Sequence, residues 1–246
     1  MSGPRIRWLG REDPPESFPP AAEALEYPNG LLAAGGDLTP RRLLYAYRHG
    51  IFPWFEADQP ILWWSPHPRC ILQPASLHVA RRLVRSLRRS PLVVRFDSAF
   101  ADVMQGCATG RKPWSGTWIT PSMLAAYTEL HRLGWAHSVE VWRDGELAGG
   151  MYGVAIGRVF FGESMFSRVT NASKIAMLAL CRELLRRDFL LLDCQLSSPH
   201  LQSLGAVEWP RQRFLAELGA ACTPPARMAD LPAEPLPAGA LLIPAA

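Results

Sequence analysis

The chain has 246 residues, 48% of them apolar and 20% charged, a balance that supports a folded core and excludes a disordered or low-complexity protein. Its formal net charge of +4 rests on arginine, since Lys112 and Lys174 are the only lysines; this fits a phosphate-bearing partner and equally a GC-rich genome. No apolar run of about 18 residues offers a membrane span, the polar stretch Met1 to Arg11 lacks a secretory core, and five scattered cysteines without a Cys-x-x-Cys pair exclude a disulfide framework and point to a reducing cytoplasm.

Residues 1–28 carry many prolines and read as irregular. Thr39 as cap, Pro40 at the first helical position and Gly50 beyond the end delimit a helix holding Leu43, Leu44 and Tyr47. Trp54, Trp63 and Trp64 follow among proline-bearing turns, as core or as a platform for a nucleobase. Leu77, Val79, Ala80, Leu83, Val84 and Leu87 then alternate at helical spacing with Arg81, Arg82, Arg85, Arg88 and Arg89. Asp58 and Asp97 are the only acids between 57 and 97, so this basic face is either simply solvated or a contact for phosphates.

Leu92 to Phe96 reads as a strand, followed by a short helix around Phe100 to Met104 capped by Asp97 or Ser98. A loop at 110–116 leads to Thr117-Trp118-Ile119, and Thr120-Pro121 opens a helix ending at Gly134. His137 to Trp142 meets Asp144-Gly145, a hairpin signal, and the segments 147–156 and 158–161 form strands turning at Gly157. Gly162 to Ser167 reads as a loop, Asn171 or Ser173 as the cap of an apolar helix, and Phe189 to Leu192 as a buried strand parallel to the one before the helix. That order brings Glu163, Asp193 and Gln195 to one sheet edge, where open α/β sheets bind ligands; either acid could equally cap a helix or start a turn. A short helix at 200–204, an edge strand at 207–209, a helix at 212–218 and a proline- and alanine-rich tail close the chain.

The expected fold is therefore α+β: an acyl-CoA N-acyltransferase-like α/β sandwich with a mixed sheet over residues 70–222, a smaller lobe at 1–69 and a tail at 223–246. Acyl-CoA enzymes of this architecture need a glycine-rich turn before the crossover helix to hold a pyrophosphate. Here Ser167-Arg-Val-Thr-Asn-Ala-Ser173 contains no glycine, which disfavours coenzyme A. Six scattered histidines show no ligand spacing, so no metal is expected.

The strings Asn29-Gly-Leu-Leu-Ala, Gly35-Gly-Asp-Leu, Gly50-Ile-Phe-Pro-Trp-Phe, Ile61-Leu-Trp-Trp-Ser-Pro, Thr117-Trp-Ile, Gly149-Gly-Met-Tyr-Gly-Val-Ala, Gly162-Glu-Ser-Met-Phe-Ser and Asp193-Cys-Gln resemble, in this order, the leucyl/phenylalanyl-tRNA–protein transferase family. The resemblance covers roughly residues 17 to 219; His67 stands where an acid is expected, and the tail has no counterpart. It implies a cytoplasmic, cofactor-free, monomeric aminoacyltransferase. Its donors would be leucyl- and phenylalanyl-tRNA, with methionyl-tRNA used less well, and its acceptors proteins beginning with Arg or Lys, marked thereby for N-end-rule degradation. It also implies roles. Asp193 orients Gln195, Gln195 contacts the attacking α-amine, and Glu163 meets the acceptor's cationic side chain. Trp54 and Trp118 stack on the terminal adenosine of the tRNA, and Met151, Phe160, Met165, Met177, Leu180 and Leu192 line the aminoacyl pocket unless they are plain core. The arginines at 81, 82, 85, 88 and 89 would then supply sequence-blind phosphate contacts. An acyl-CoA N-acyltransferase and a non-catalytic RNA-binding module are the competing readings.

Overall fold

Two sheets of unequal size share one core in this computed structural model, which describes residues 6–109, 119–223, 228 and 230–242. The loop expected at 110–116 and Trp118 lie outside the described residues. The first sheet contains β1 (Arg7–Leu9), β2 (Leu31–Gly35), β3 (Phe52–Pro53) and β4 (Leu62–Trp64) in the order β1-β2-β4-β3. Helix α1 (Pro40–Arg48) leaves β2 and returns to β3. It starts where its signals predict: the Thr39 hydroxyl accepts from the Arg42 N–H, and Gly50, at φ 75°, turns the chain beyond the last helical residue. Residues 6–28, expected to be irregular, include the short strand β1, which pairs in parallel with β2.

The second sheet consists of β5 (Arg69–Leu72), β6 (Val93–Phe96), β7 (Ala136–Arg143), β8 (Glu146–Ile156), β9 (Val159–Ser167), β10 (Leu191–Gln195), β11 (Val207–Trp209) and β12 (Leu236–Pro237). Their order is β11-β5-β10-β9-β8-β7-β6-β12. Every pairing in it is antiparallel except β9 with β10, which α5 (Ala172–Arg186) joins as a crossover. On one face lie α1, α3 (Phe100–Thr109), α4 (Pro121–Arg132), α7 (Arg211–Ala221) and the first sheet, enclosing Tyr47, Trp63, Tyr127, Phe161 and Phe214. The other face carries α5 and α2 (Arg81–Leu87), packed over Phe160, Ile175, Leu180 and Leu192. Asp144 and Gly145 both have positive φ, as the two-residue hairpin between β7 and β8 requires.

Several expectations change. Gly162–Ser167 is not a loop, because β9 continues through it paired to β8. Asn171 precedes α5 in the left-handed region but makes no capping bond. Helix α2 is shorter than its alternating pattern, since residues 77–80 are non-helical, and α3 is longer than expected, reaching Thr109. Beyond 223 the described chain runs along the sheet edge: β12 pairs with β6, and Arg182 donates to the Ala240 carbonyl at 2.9 Å.

Where β9 and β10 part, the sheet acquires its functional geometry. Their pairing ends at Phe161 opposite Asp193. Just beyond, each strand has a register shift against its other neighbour. Glu163 is the extra residue between Gly162 and Ser164, and Cys194 the extra residue between Asp193 and Gln195. The β9 bulge lies opposite Gly153, where an added Cβ would come within 2.2 Å of the Phe161 carbonyl oxygen and 2.4 Å of the Phe160 ring. Gly153→Ala is expected to cost roughly 1–3 kcal/mol or more in urea denaturation, because a backbone atom cannot step aside as a side chain can.

Candidate active site

The two bulges turn Glu163 and Gln195 toward each other across the gap, and the Gln195 amide donates to Glu163 Oε1 at 2.8 Å. Gln195 holds this pose from an unusual backbone at φ 61°, fixed by its own N–H donating to Asp193 Oδ1 at 2.9 Å. Asp193 is fully buried and gripped by Arg69, whose Nε and Nη2 donate to its two oxygens at 2.8 and 2.7 Å. Arg69 in turn donates to the Gly50 carbonyl at 3.1 Å and lies between the rings of Phe52 and Phe214, 4.9 and 4.7 Å from their centroids. Asp193 thus orients Gln195 through the backbone and not through the amide side chain.

Behind Glu163 stand two fully buried phenols, Tyr47 from α1 and Tyr127 from α4. Tyr47 donates to Glu163 Oε1 at 2.7 Å, Tyr127 to Oε2 at 3.2 Å, and the two hydroxyls also contact each other. Burial pushes the Glu163 carboxyl up from its ordinary 4.5 to about 7, against the pull of these donors. Burial likewise raises both phenols well above the ordinary tyrosine value, so they stay protonated. Tyr47 was legible only as one member of an apolar helix face, and Tyr127 and Arg69 gave no sequence signal of a role.

Two cavities meet at this network. One, of about 230 Å³, is walled by Met151, Met165, Met177, Leu192 and Leu201, with Glu163 and Cys194 at its rim. The other, of about 280 Å³, lies between Trp54, Phe52 and Pro53 on one side and Gln195 and Leu196 on the other, and shares Glu163 and Cys194 with the first. Phe160 and Leu180, expected in the pocket wall, are instead buried in the core beside it and line neither cavity. Trp54 is 41% exposed, and its carbonyl accepts from Trp64 Nε1 at 2.6 Å.

The five arginines of the basic run are all exposed. Arg82 and Arg89 line a cleft of about 850 Å³ whose other described cations are Arg143, Arg168 and Lys174; among the described residues no carboxylate lines it. Arg81, Arg85 and Arg88 do not line the cleft, so the five arginines do not form one continuous wall of it. Among the described residues no cluster of three metal-ligating side chains exists, and no helix is long and apolar enough to cross a membrane.

The mixed α/β sandwich, opened between its two parallel strands, thus sets an acid–amide pair beside an apolar cavity, a site that can take an apolar group and hold a polar one next to it. Comparison with known proteins narrows this. Residues 71–219 match the leucyl/phenylalanyl-tRNA protein transferase family model, and residues 36–67 match that family's N-terminal domain. The chain is 58% identical over 214 residues to the leucyl/phenylalanyl-tRNA–protein transferase of Aromatoleum aromaticum, covering 87% of this chain and 89% of that one. It is 55% identical over 224 residues to the enzyme of the same name from Alkalilimnicola ehrlichii, covering 91% and 87%. Among solved structures, a GCN5-related N-acetyltransferase from Kribbella flavida aligns with a TM-score of 0.37 at 11% identity, over 69% of this chain and 60% of that one. The chain belongs to the leucyl/phenylalanyl-tRNA–protein transferase family, and it is an aminoacyltransferase.

The raised carboxyl has a consequence for stability. The folded protein holds the Glu163 proton up to about pH 7, whereas the unfolded chain releases it near 4.5. Its contribution is therefore complete below about 4.5 and is lost as the pH rises through 7. The stability of the native protein relative to Glu163→Gln is expected to fall across that window by at most about 3 kcal/mol. Denaturant titrations of both proteins at several pH values measure it.

Proposed function

We propose that the enzyme moves leucine or phenylalanine, and methionine less well, from aminoacyl-tRNA to the α-amino group of a protein beginning with Arg or Lys. Proteins so modified would enter N-end-rule degradation. The observation that carries this reading is the Glu163–Gln195 hydrogen bond at the shared rim of an apolar cavity and a tryptophan-walled one. The esterified side chain would enter the methionine-walled cavity, whose unbranched thioethers adapt to leucine and to a flat ring alike. The terminal adenosine would lie against Trp54, which makes the 1–69 lobe part of the tRNA site; Trp118, the second stacking residue implied by the family, lies outside the described residues. Backbone phosphates would follow the cleft lined by Arg82, Arg89, Arg143, Arg168 and Lys174.

The reaction is aminolysis of an activated ester, which needs placement more than a strong base. A free α-amino group, with pKa ~7.7–8.0, offers a neutral fraction at physiological pH. Gln195, locked through Asp193 and Arg69, holds that nitrogen near the ester carbonyl. An amide is too weak a base to keep the proton, so Gln195 positions the amine; as the new C–N bond forms and the ester C–O bond breaks, the amine's proton passes through a relay or the substrate's own hydroxyl to the departing ribose oxygen of the tRNA. Glu163 meets the cationic side chain of the first residue, and the arriving positive charge stabilises its ionised form. A coenzyme A thioester is the less suited donor, because the Arg168–Asn171 segment before α5 has no glycine to let backbone N–H groups close on a pyrophosphate.

Incubation with radiolabelled phenylalanyl-tRNA is expected to label an arginine-initiated acceptor and not its alanine-initiated counterpart, and acetyl-CoA is expected to transfer nothing. Glu163→Lys should lose the preference for arginine; retained selectivity would refute the assignment. Arg82→Ala and Arg89→Ala should each lower the slope of log affinity for tRNA against log salt by roughly 1. An unchanged slope returns the cleft to an ordinary solvated surface.

A further inference from the structure

Glu163, Tyr47 and Tyr127 make three mutual contacts: Tyr47 with Oε1, Tyr127 with Oε2, and hydroxyl with hydroxyl. Counting protons decides what these contacts can be. Each phenol brings one, and an ionised carboxylate brings none. With Glu163 ionised, the charge draws both phenol protons, because charge-assisted donation is about twice as strong as neutral donation. The two hydroxyl oxygens, both on fully buried side chains, then face each other with no proton between them. With Glu163 protonated, every contact is filled in one direction: Oε2–H donates to Tyr127, Tyr127 to Tyr47, and Tyr47 to Oε1. We infer that Tyr47 and Tyr127 close a three-membered hydrogen-bond ring with Glu163 that is complete only when Glu163 is protonated, so that the tyrosine pair keeps the site neutral until a cation enters.

The surroundings permit this. From β10, Asp193 faces the site with its charge already matched by Arg69, while Gln195 donates to Oε1 without occupying a ring position. Cys194 lies at the rim, Tyr152 of β8 presents its ring edge-on to Tyr127 at 5.9 Å, and α5 contributes only the uncharged Met177. No cation stands among these groups except Arg69, which Asp193 holds. In the acceptor reading proposed above, on which this consequence rests, a guanidinium or ammonium would open the ring and expel one proton. A neutral first residue would have to break the ring with nothing to replace it. Tyr47 and Tyr127 are thus positioning residues for selectivity, remote from the reacting atoms.

The ring is tested in the free protein, without any acceptor. Carbon-13 NMR of carboxyl-labelled glutamate, with Glu163 assigned by its loss in Glu163→Gln, should find this group protonated at about pH 5.5 and ionised at about 8.5. Unfolding midpoints of Tyr47→Phe, Tyr127→Phe and the double variant then report the hydroxyl–hydroxyl bond. At the lower pH the double substitution should cost less than the sum of the singles, and at the higher pH it should equal that sum. In the Glu163→Gln background, whose amide can both donate and accept, the costs should fall short of additive at both. A carboxyl ionised throughout, or a coupling indifferent to pH in the native background, overturns the ring; the titration decides even where the double variant does not fold. Calorimetry with arginine amide in buffers of different ionisation enthalpy tests the link to the acceptor, with release of close to one proton expected near pH 6. If the titration and the cycle hold while no proton is released, the ring stands and the acceptor assignment of Glu163 falls.

Discussion

The Arg69–Asp193 pair is the contact on which the site's geometry depends, since both side chains are wholly buried and neither has water to fall back on. Removing one partner of such a pair strands a charge in the interior, typically at a cost of 3–5 kcal/mol, so the pair acts as a constraint more than as a source of net stability. It ties β5 to β10, reaches the Gly50 carbonyl after α1, and fills the space between Phe52 of the first sheet and Phe214 of α7. Four segments distant in sequence are thereby fixed around one carboxylate. The same carboxylate holds Gln195 in a backbone conformation that a non-glycine residue seldom adopts.

With Gln195 fixed, the parting of β9 and β10 becomes useful. Two parallel strands that stayed paired would present a continuous ladder with no opening. Here pairing stops at Phe161 and Asp193, and a bulge on each side re-aims the next side chains into the gap. An acid carried there would ordinarily be ionised and well solvated. Instead burial holds the Glu163 proton up to about 7, against the pull of protein donors at both oxygens. The site is poised between two charge states.

The cavity and the cleft differ in size and in polarity. The methionine-walled cavity is small and apolar and suits one side chain, whereas the cleft is broad, cationic and without a carboxylate among the described residues, and suits a polyanion. They lie on the α5 side of the sheet, one lined by Met177 from the helix interior and the other by Lys174 near its start. A single helix thus borders both the apolar cavity and the cationic cleft.

What the chain's letters determined was local or periodic. Thr39-Pro40 and Thr120-Pro121 begin helices where they stand, Asp144-Gly145 makes its hairpin, and the apolar run ending at Leu192 forms the strand parallel to β9, because caps, turns and buried strands are decided by neighbours in sequence. The recurring strings also brought Glu163, Asp193 and Gln195 forward as a group. Only the tertiary structure decided that Gly162–Ser167 is a bulged strand, that Phe160 and Leu180 belong to the core, and that Arg82 and not Arg81 faces the cleft. Arg69, Tyr47 and Tyr127 escaped notice for the same reason. Each meets its partner across 36 to 124 residues of intervening chain, and no local pattern records which buried donor will face which buried acceptor once the two sheets have packed.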